Sequence, residues 1–455
     1  MSKARIIVAT LLALAVAAPA MAFDVQIQGD FNNRFGYTTQ SDVTSLNSLS
    51  NEATIYVNSG GFPTATLTDE NGDNDDEFFA EAKYRLHFIG TDDEKKVKGV
   101  IGLELGASKY GQRDGSASTG AFNKGFVFGG DGRDTIELQY AYTEFELPFD
   151  PATRMTLGLQ PVGLNKWVWS DNAAGVKLAS KRGDLGYSLN WFRNEYTYGT
   201  QEDTRDVYAV DVKYTAKDLP KLNLFALYSH NDAGQLAFDD EEIWLGAAID
   251  GQAGAFFYGA TAVYLTGEVD AENGLLPNST RNDADRSAYF FNAEGVFKAG
   301  QARYTLGWMY ASGDDDPTDG DIENYDVIDV YVPVGSVVIF DSFADDNTAA
   351  TSPYIQDKGY NMVYVKADFD LNDKTTVGAG YFWHNTAEDL VVNGLETDKD
   401  LGHEIVLAAA HKITKNLTAG IKAGYLIGGD AWDALAANDD SDDVFVTDAS
   451  LRLKF

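Results

Sequence analysis

From Phe445 to Phe455 the chain alternates between hydrophobic and polar residues. Phe445, Thr447, Ala449, Leu451, Leu453 and Phe455 fall on one face, and Val446, Asp448, Ser450, Arg452 and Lys454 on the other. A period of two marks a β-strand with one face in an apolar medium and the other in water. The aromatic ends stand ten residues apart, about 33 Å along an extended strand. A tilt of about 40° shortens this to roughly 25 Å, the height of the lipid-facing band of a membrane barrel, with a ring at each rim.

The same alternation recurs through the chain. It predicts strands at 24–37, 77–90, 97–108, 134–147, 153–160, 175–182, 184–193, 205–215, 221–230, 241–250, 253–266, 285–298, 301–311, 359–371, 374–384, 401–413, 416–428 and 443–455, which is 18. Outward faces include Tyr208/Val210/Val212/Tyr214, Tyr304/Leu306/Trp308/Tyr310 and Leu417/Ala419/Ile421/Ala423/Tyr425/Ile427. Short links such as Gly183, Gly251–Gln252 and Asn372–Asp373 alternate with long ones such as 38–76, 109–133 and 312–358. Short turns at one end and long loops at the other describe an all-β, transmembrane, antiparallel up-and-down barrel. The strand number is 18, or 16 if the pair 175–193 is one hairpin too many. Both termini fall on the short-turn side, so the first and last strands are placed to pair. That side is expected to be periplasmic.

Composition narrows the class. The 455 residues are 44% hydrophobic, too many for a disordered chain. Asp and Glu number 70 against 35 Lys and Arg, which argues against nucleic-acid binding. The chain has no cysteine, hence no disulfide and no thiolate metal site. Lys3 and Arg5, the apolar run Ile6–Ala18 and Ala20-Met21-Ala22 read as a secretory signal peptide at 1–22, leaving 23–455 as one barrel domain. No later run reaches 18 apolar residues, so a helical membrane protein is excluded. Five histidines are present, but no HExxH, GxSxG or phosphate-loop pattern. His403 and Glu404 are neighbours that point to opposite faces of a strand. Neither an enzyme nor a resident cofactor is expected.

The long loops carry the acidity. Segments 39–76, 312–357 and 429–443 hold 7, 12 and 6 acidic residues and no Lys or Arg. A solvated outer surface accounts for this. So does divalent-cation binding at the surface, bridging the barrel to anionic lipid. Asp69–Glu77 and Asp314–Glu323 have the composition for it, yet neither fits a calcium loop: Asn74 stands where Gly is required, and Pro317 stands at a ligand position.

The segment Glu81-Ala-Lys-Tyr-Arg-Leu-His-Phe-Ile-Gly-Thr-Asp-Asp-Glu94, followed by Lys98-Gly-Val-Ile-Gly-Leu-Glu-Leu-Gly106, resembles the second hairpin of Gram-negative general porins. Leu138–Leu147 and Met155–Gln160 resemble the family's fourth and fifth strands. The overall style is most similar to the homotrimeric porins of sulfate-reducing bacteria. Local matches cover about a quarter of the chain. The resemblance implies an outer-membrane homotrimer in contact with lipid and lipopolysaccharide. It also implies a terminal Phe455 read by the barrel assembly machinery, and a loop after the fifth strand, Pro161–Ala174, that folds into the channel. Departures are Gln160, where an Arg is frequent, the shortness of that loop, and 18 strands where general porins have 16.

In the second strand Ala80, Ala82, Tyr84, Leu86 and Phe88 form the outward set, which leaves Glu81, Lys83, Arg85 and His87 inward. Glu104, Gln139, Arg154 and Gln160 are inward on neighbouring strands. By the resemblance, Lys166 and Asp171 sit on the inserted loop opposite this row. Opposed rows of unlike charge set up a transverse field that favours dipolar solutes. A bland reading also holds, because any water-filled lumen needs polar residues. The expected function is a porin passing small hydrophilic solutes by diffusion. The alternatives are a channel selective for sugars or organic acids, and a non-conducting structural or adhesive barrel. The insertion Tyr325–Phe343 is too apolar for an ordinary loop, which favours a selective channel. It folds inward, forms a hairpin, or covers a contact between subunits.

Overall fold

A computed structural model of the chain describes residues 23–39, 77–110, 136–198, 201–232, 238–271, 283–316, 321–340, 353–392, 395–396, 398–431 and 443–455. The segment read as a signal peptide, the acidic stretch 69–76 and most of loops 39–76 and 429–443 lie outside the described residues.

The described residues form 18 long strands. They are β1 (Phe23–Thr38), β2 (Glu77–Asp92), β3 (Val97–Lys109), β4 (Ile136–Leu147), β5 (Asp150–Pro161), β6 (Asn172–Arg182), β7 (Leu185–Tyr198), β8 (Gln201–Tyr214) and β9 (Lys221–Asp232), then β10 (Phe238–Ala253), β11 (Phe256–Ala271), β12 (Asp283–Ala299), β13 (Ala302–Ala311), β14 (Tyr360–Asn372), β15 (Thr375–Asn385), β16 (Asp400–Lys412), β17 (Leu417–Gly428) and β18 (Val444–Lys454). Each pairs antiparallel with its neighbours in sequence. β1 pairs with β18 from Asp30↔Lys454 to Thr38↔Val446, which closes the sheet. The doubtful segment 175–193 is a full hairpin: β6 and β7 pair from Ala174↔Arg193 to Arg182↔Leu185. The barrel therefore has 18 strands and not the 16 of general porins.

Closure follows from the medium. A strand edge in lipid leaves backbone N–H and C=O groups without partners, and each costs several kcal/mol. Joining β1 to β18 removes the edge. Outward positions then meet hydrocarbon. Leu189, Leu224, Leu306, Leu407 and Ile421 are 54–60% exposed, which in water would form a large apolar belt. No described helix is long and apolar enough to cross a membrane.

The chain end is part of the closure. Phe455 exchanges both backbone hydrogen bonds with Gly29, at 2.9 and 3.0 Å. Its ring meets Phe31 edge-on at 5.6 Å. Next to it, Arg452 forks onto Asp30 across the seam at 2.6 and 2.7 Å. Deleting Phe455 removes the hydrogen-bond pair and an aromatic contact of about 0.5–1.5 kcal/mol. The expected outcome is a lower temperature for the shift from folded to unfolded gel mobility, and a lower membrane yield, with F455Y close to the parent. Heating series of detergent-extracted protein measure the first, and quantified membrane fractions the second.

Candidate functional site

Two segments enter the barrel. The first is the loop after β5, residues 162–171, whose ends are tied by Val162 N–H donating to the Asp171 carbonyl at 2.7 Å. Asn165 turns it: the Trp167 N–H donates to the Asn165 side-chain oxygen and the Trp169 N–H to the Asn165 carbonyl, both at 2.9 Å. Val162, Leu164, Trp167, Val168 and Trp169 are buried. The second is the segment after β13, which starts with Asp321–Ile322 paired parallel to Asp285–Arg286 of β12. It continues through 325–340, almost all of it inside the barrel. Of the readings open to the apolar insertion, its described part takes the inward one.

The two segments hold each other. Ile328 N–H donates to the Val168 carbonyl at 3.0 Å, Ser170 N–H to the Asp329 carbonyl at 2.8 Å, and Tyr331 N–H to Ser170 Oγ at 3.2 Å. The Tyr325 hydroxyl donates to the Trp167 carbonyl at 2.8 Å. Burial, and secondarily the Asp326 carboxylate, holds that phenol well above its ordinary pKa, so it stays a donor. Trp167, Phe290 and Tyr325 stack in sequence at 4.9 and 5.1 Å.

From Asp329 to Gly335 exposed and buried residues alternate. Val327, Val330, Val332 and Val334 are buried, while Asp329, Tyr331, Pro333 and Gly335 are exposed. The buried valines face a wall that is itself apolar on its inner side: Phe225, Leu227, Trp244, Leu265, Phe290, Met309, Met362 and Phe382 are at most 5% exposed. Each buried aliphatic or aromatic side chain contributes about 1.5–3 kcal/mol. Polar ties fix the edges. Trp244 Nε1–H donates to the Asp326 carbonyl at 3.0 Å, Arg286 bridges Glu242 and Asp326 at 3.1 and 3.4 Å, and Lys366 Nζ donates to the Val334 carbonyl at 2.8 Å. Gly335, at φ +102°, makes the bend that ends the extended run.

One flank of the lumen is thus filled from β8 to β16. That wall also carries inward polar groups, among them Glu242, Arg286, Lys366 and Glu404, and a second set of inward charges lies on β18, β1, β2 and β3. Arg34 pairs with Glu81 at 2.8 Å, and Lys83 and Arg85 share Glu104. Arg452 and Lys454 share Asp30. Arg85 and Tyr331 both lie within electrostatic reach of Arg452. Asp171, Arg85 and Glu104 lie within such reach of Tyr140. The Asp171 end of the inner loop and Tyr331 of the second segment therefore lie near this charged stretch of wall.

The residues selected from sequence divide accordingly. Lys83, Arg85, His87 and Glu104 share the inner face, and His87 Nε2 meets Gln139 Oε1 at 2.7 Å. Lys83 and Glu104 are 8% and 5% exposed, so Arg85 is the more open cation of that row. Arg154 lies near the short-turn rim, bonded to Glu144 and Glu146 at 2.9 Å each. Gln160 is a correction to the expectation of a water-facing residue. It is 1% exposed, and its amide donates to the Gly158 and Gly175 carbonyls at 3.3 and 3.1 Å, at the foot of the inner loop. Lys166 sits over the Trp167 ring at 5.0 Å and borders a cavity of about 890 Å³ on the short-turn side, with Lys221, Asp250, Phe257, Asn292 and Glu294. Asp171 is exposed at the loop's end. Sequence reasoning missed Arg452 and Tyr331 as neighbours of this row. The signal available was the valine alternation within an otherwise acidic loop. Of the acidic motif at 314–323, carboxylate oxygens of Asp314, Asp315 and Glu323 lie within 4.8 Å of one another.

No known family model matches the chain, and no curated protein does. Solved structures do. OccK9 (OpdG) of Pseudomonas aeruginosa superposes with a TM-score of 0.53 at 11% identity, over 95% of this chain and 99% of that one. OccK8 (OprE) of the same organism gives 0.52 at 10%, over 95% and 98%. The P. aeruginosa outer membrane protein OpdK gives 0.50 at 8%, over 94% and 98%. At such identities the likeness is one of fold: this chain is built as a closed 18-strand barrel similar to these outer-membrane proteins over nearly its whole length.

Proposed function

We propose that the protein is a substrate-selective channel of the Gram-negative outer membrane, for small organic acids in preference to sugars. The observation that supports it is the occupied lumen: two inner segments pack apolar residues against part of the wall, and a charged stretch with Arg85, Arg452 and Lys454 lies near the exposed Tyr331 of the second segment. A guanidinium binds a carboxylate through paired, directional hydrogen bonds, which a sugar hydroxyl does not match. Facing charges of both signs order a dipolar solute as it passes. A wide diffusion pore, the other reading, has no use for so much buried apolar surface. The proposal puts both termini, with the short turns, on the periplasmic side. The resemblance to trimeric porins extends the proposal to a homotrimer, tested by the mass of the native detergent-solubilised species. Single-channel recording with added solutes tests the main claim. Dicarboxylates and amino acids are expected to reduce the current at concentrations where neutral sugars do not. Equal effects of both classes would sink the selectivity.

Selectivity among ions follows from distance. Two unit charges about 7 Å apart in water interact by about 0.6 kcal/mol, roughly a threefold change in the local concentration of each ion. Replacing Arg85 and Arg452 together by Gln is expected to raise the cation-to-anion permeability ratio several-fold, persisting at high salt. K83Q is expected to do less, because Lys83 is buried against Glu104. Acidic mouth loops act beyond a Debye length of about 8–10 Å, so their contribution fades as salt rises. Reversal potentials across a salt gradient measure all three.

The inner loop is expected to set conductance. Truncating a buried tryptophan costs about 3–5 kcal/mol, and Trp167 is 1% exposed against Phe290 and Tyr325. W167A should leave heat-modifiable mobility intact and raise single-channel conductance. Unchanged conductance would show that the loop does not limit the passage.

A further inference from the structure

Away from the Arg85 and Arg452 wall, the barrel holds a fully buried carboxylate. Glu404 of β16 is 0% exposed. Its Oε1 accepts the N–H groups of Val337 and Val338 at 2.6 and 3.0 Å, and its Oε2 accepts the Ser336 hydroxyl at 2.5 Å. Ser336 Oγ in turn accepts the N–H groups of Ile339 and Phe340 at 3.3 and 3.1 Å. Behind Oε2 stands the His384 ring at 3.3 Å, itself bonded to the Tyr360 hydroxyl. His384 is also 0% exposed. One wall residue, directly or through Ser336, thus collects four successive backbone N–H groups of the inner segment.

These contacts fall where the extended run ends. Gly335 bends, and the chain then turns through 336–340 against β16 and β17. The wall is cut to receive that turn. A Cβ added at Gly424 of β17 would lie 3.0 Å from both Glu404 Oε1 and Val337 Cβ. The near end of the run is held separately by Asp326 with Arg286, Trp244 and Tyr354. Without the Glu404 contacts, the far end is held by the Lys366–Val334 bond and by valine packing. Asp329 and Tyr331 lie between the two ends.

We propose that Glu404 is a positioning residue for selectivity. By binding the turn 336–340 it holds the inner run in place, and through that run it sets Tyr331 near Arg452, with the exposed Asp329 two residues before it. The claim rests on the selective-channel reading for its consequence, but not for its geometry. A buried acceptor of this kind is strong because it is charged, desolvated and met by several donors at once. Removing it leaves those N–H groups buried without partners, so the turn moves toward water.

The absence of native cysteine allows a background-free test. Val337 is 1% exposed, so a thiol introduced by V337C should react slowly with a small hydrophilic thiol reagent on the detergent-folded protein. Adding E404A is expected to speed labelling by about tenfold or more, as a local opening loses several hydrogen bonds to a buried charge. In the same variant the reversal potential should move toward anions, since Asp329 leaves the passage while the wall cations stay. E404Q, which keeps one oxygen for the Val337 and Val338 N–H groups, should fall between E404A and the parent. Should E404A fail to fold, G424L supplies a second route, pushing on the same turn with the carboxylate intact. Labelling at the parent rate in E404A, or in G424L where that variant replaces it, would overturn the proposal. Faster labelling with an unchanged reversal potential would overturn it as well. Labelling needs no current, so a parent that does not conduct shows instead that the channel reading has failed.

Discussion

The structure depends on one constraint: no backbone N–H or C=O may be left unpaired in hydrocarbon. A sheet meets it by closing, and β1 meets β18 for that reason. Once closed, the sheet has a lipid side and a lumen side, and each strand must alternate between them. Ionic seams such as Asp30 with Arg452 and Lys454 are affordable because they face inward, where water reaches them.

Closure creates a second problem. Eighteen strands enclose more space than wall side chains can fill. This chain divides it. Where the inner segments lie, the wall turns large apolar side chains inward among its polar ones: β9 has Leu222 and Leu224 outward and Phe225 and Leu227 inward. Where water remains, the wall carries paired charges. The path for a solute is thus what two hydrophobic inserts leave uncovered. Its shape depends on how firmly those inserts are held, and not on strand number alone.

Much of the frame was legible in the residues. All 18 strands stand within a few residues of their expected limits, because lipid makes the same demand at every outward position. Lys83, Arg85 and His87 shared a face for the same reason. Gln160 shows the limit: parity placed it inside, but inside is not the same as wet. Its amide is taken up by carbonyls of its own and the next strand.

What the sequence determined by itself is therefore the repeating part: an all-β chain, its strands and their faces. These follow from local periodicity, since adjacent strands and a uniform solvent need no distant information. Tertiary structure decided which part of the lumen is filled and by what. Tyr325 bonds to Trp167, 158 residues earlier, and Ser336 to Glu404, 68 residues later. No local pattern encodes such pairings. They arise because a loop carrying valines at alternate positions finds, inside the closed barrel, an apolar wall that spares those valines contact with water.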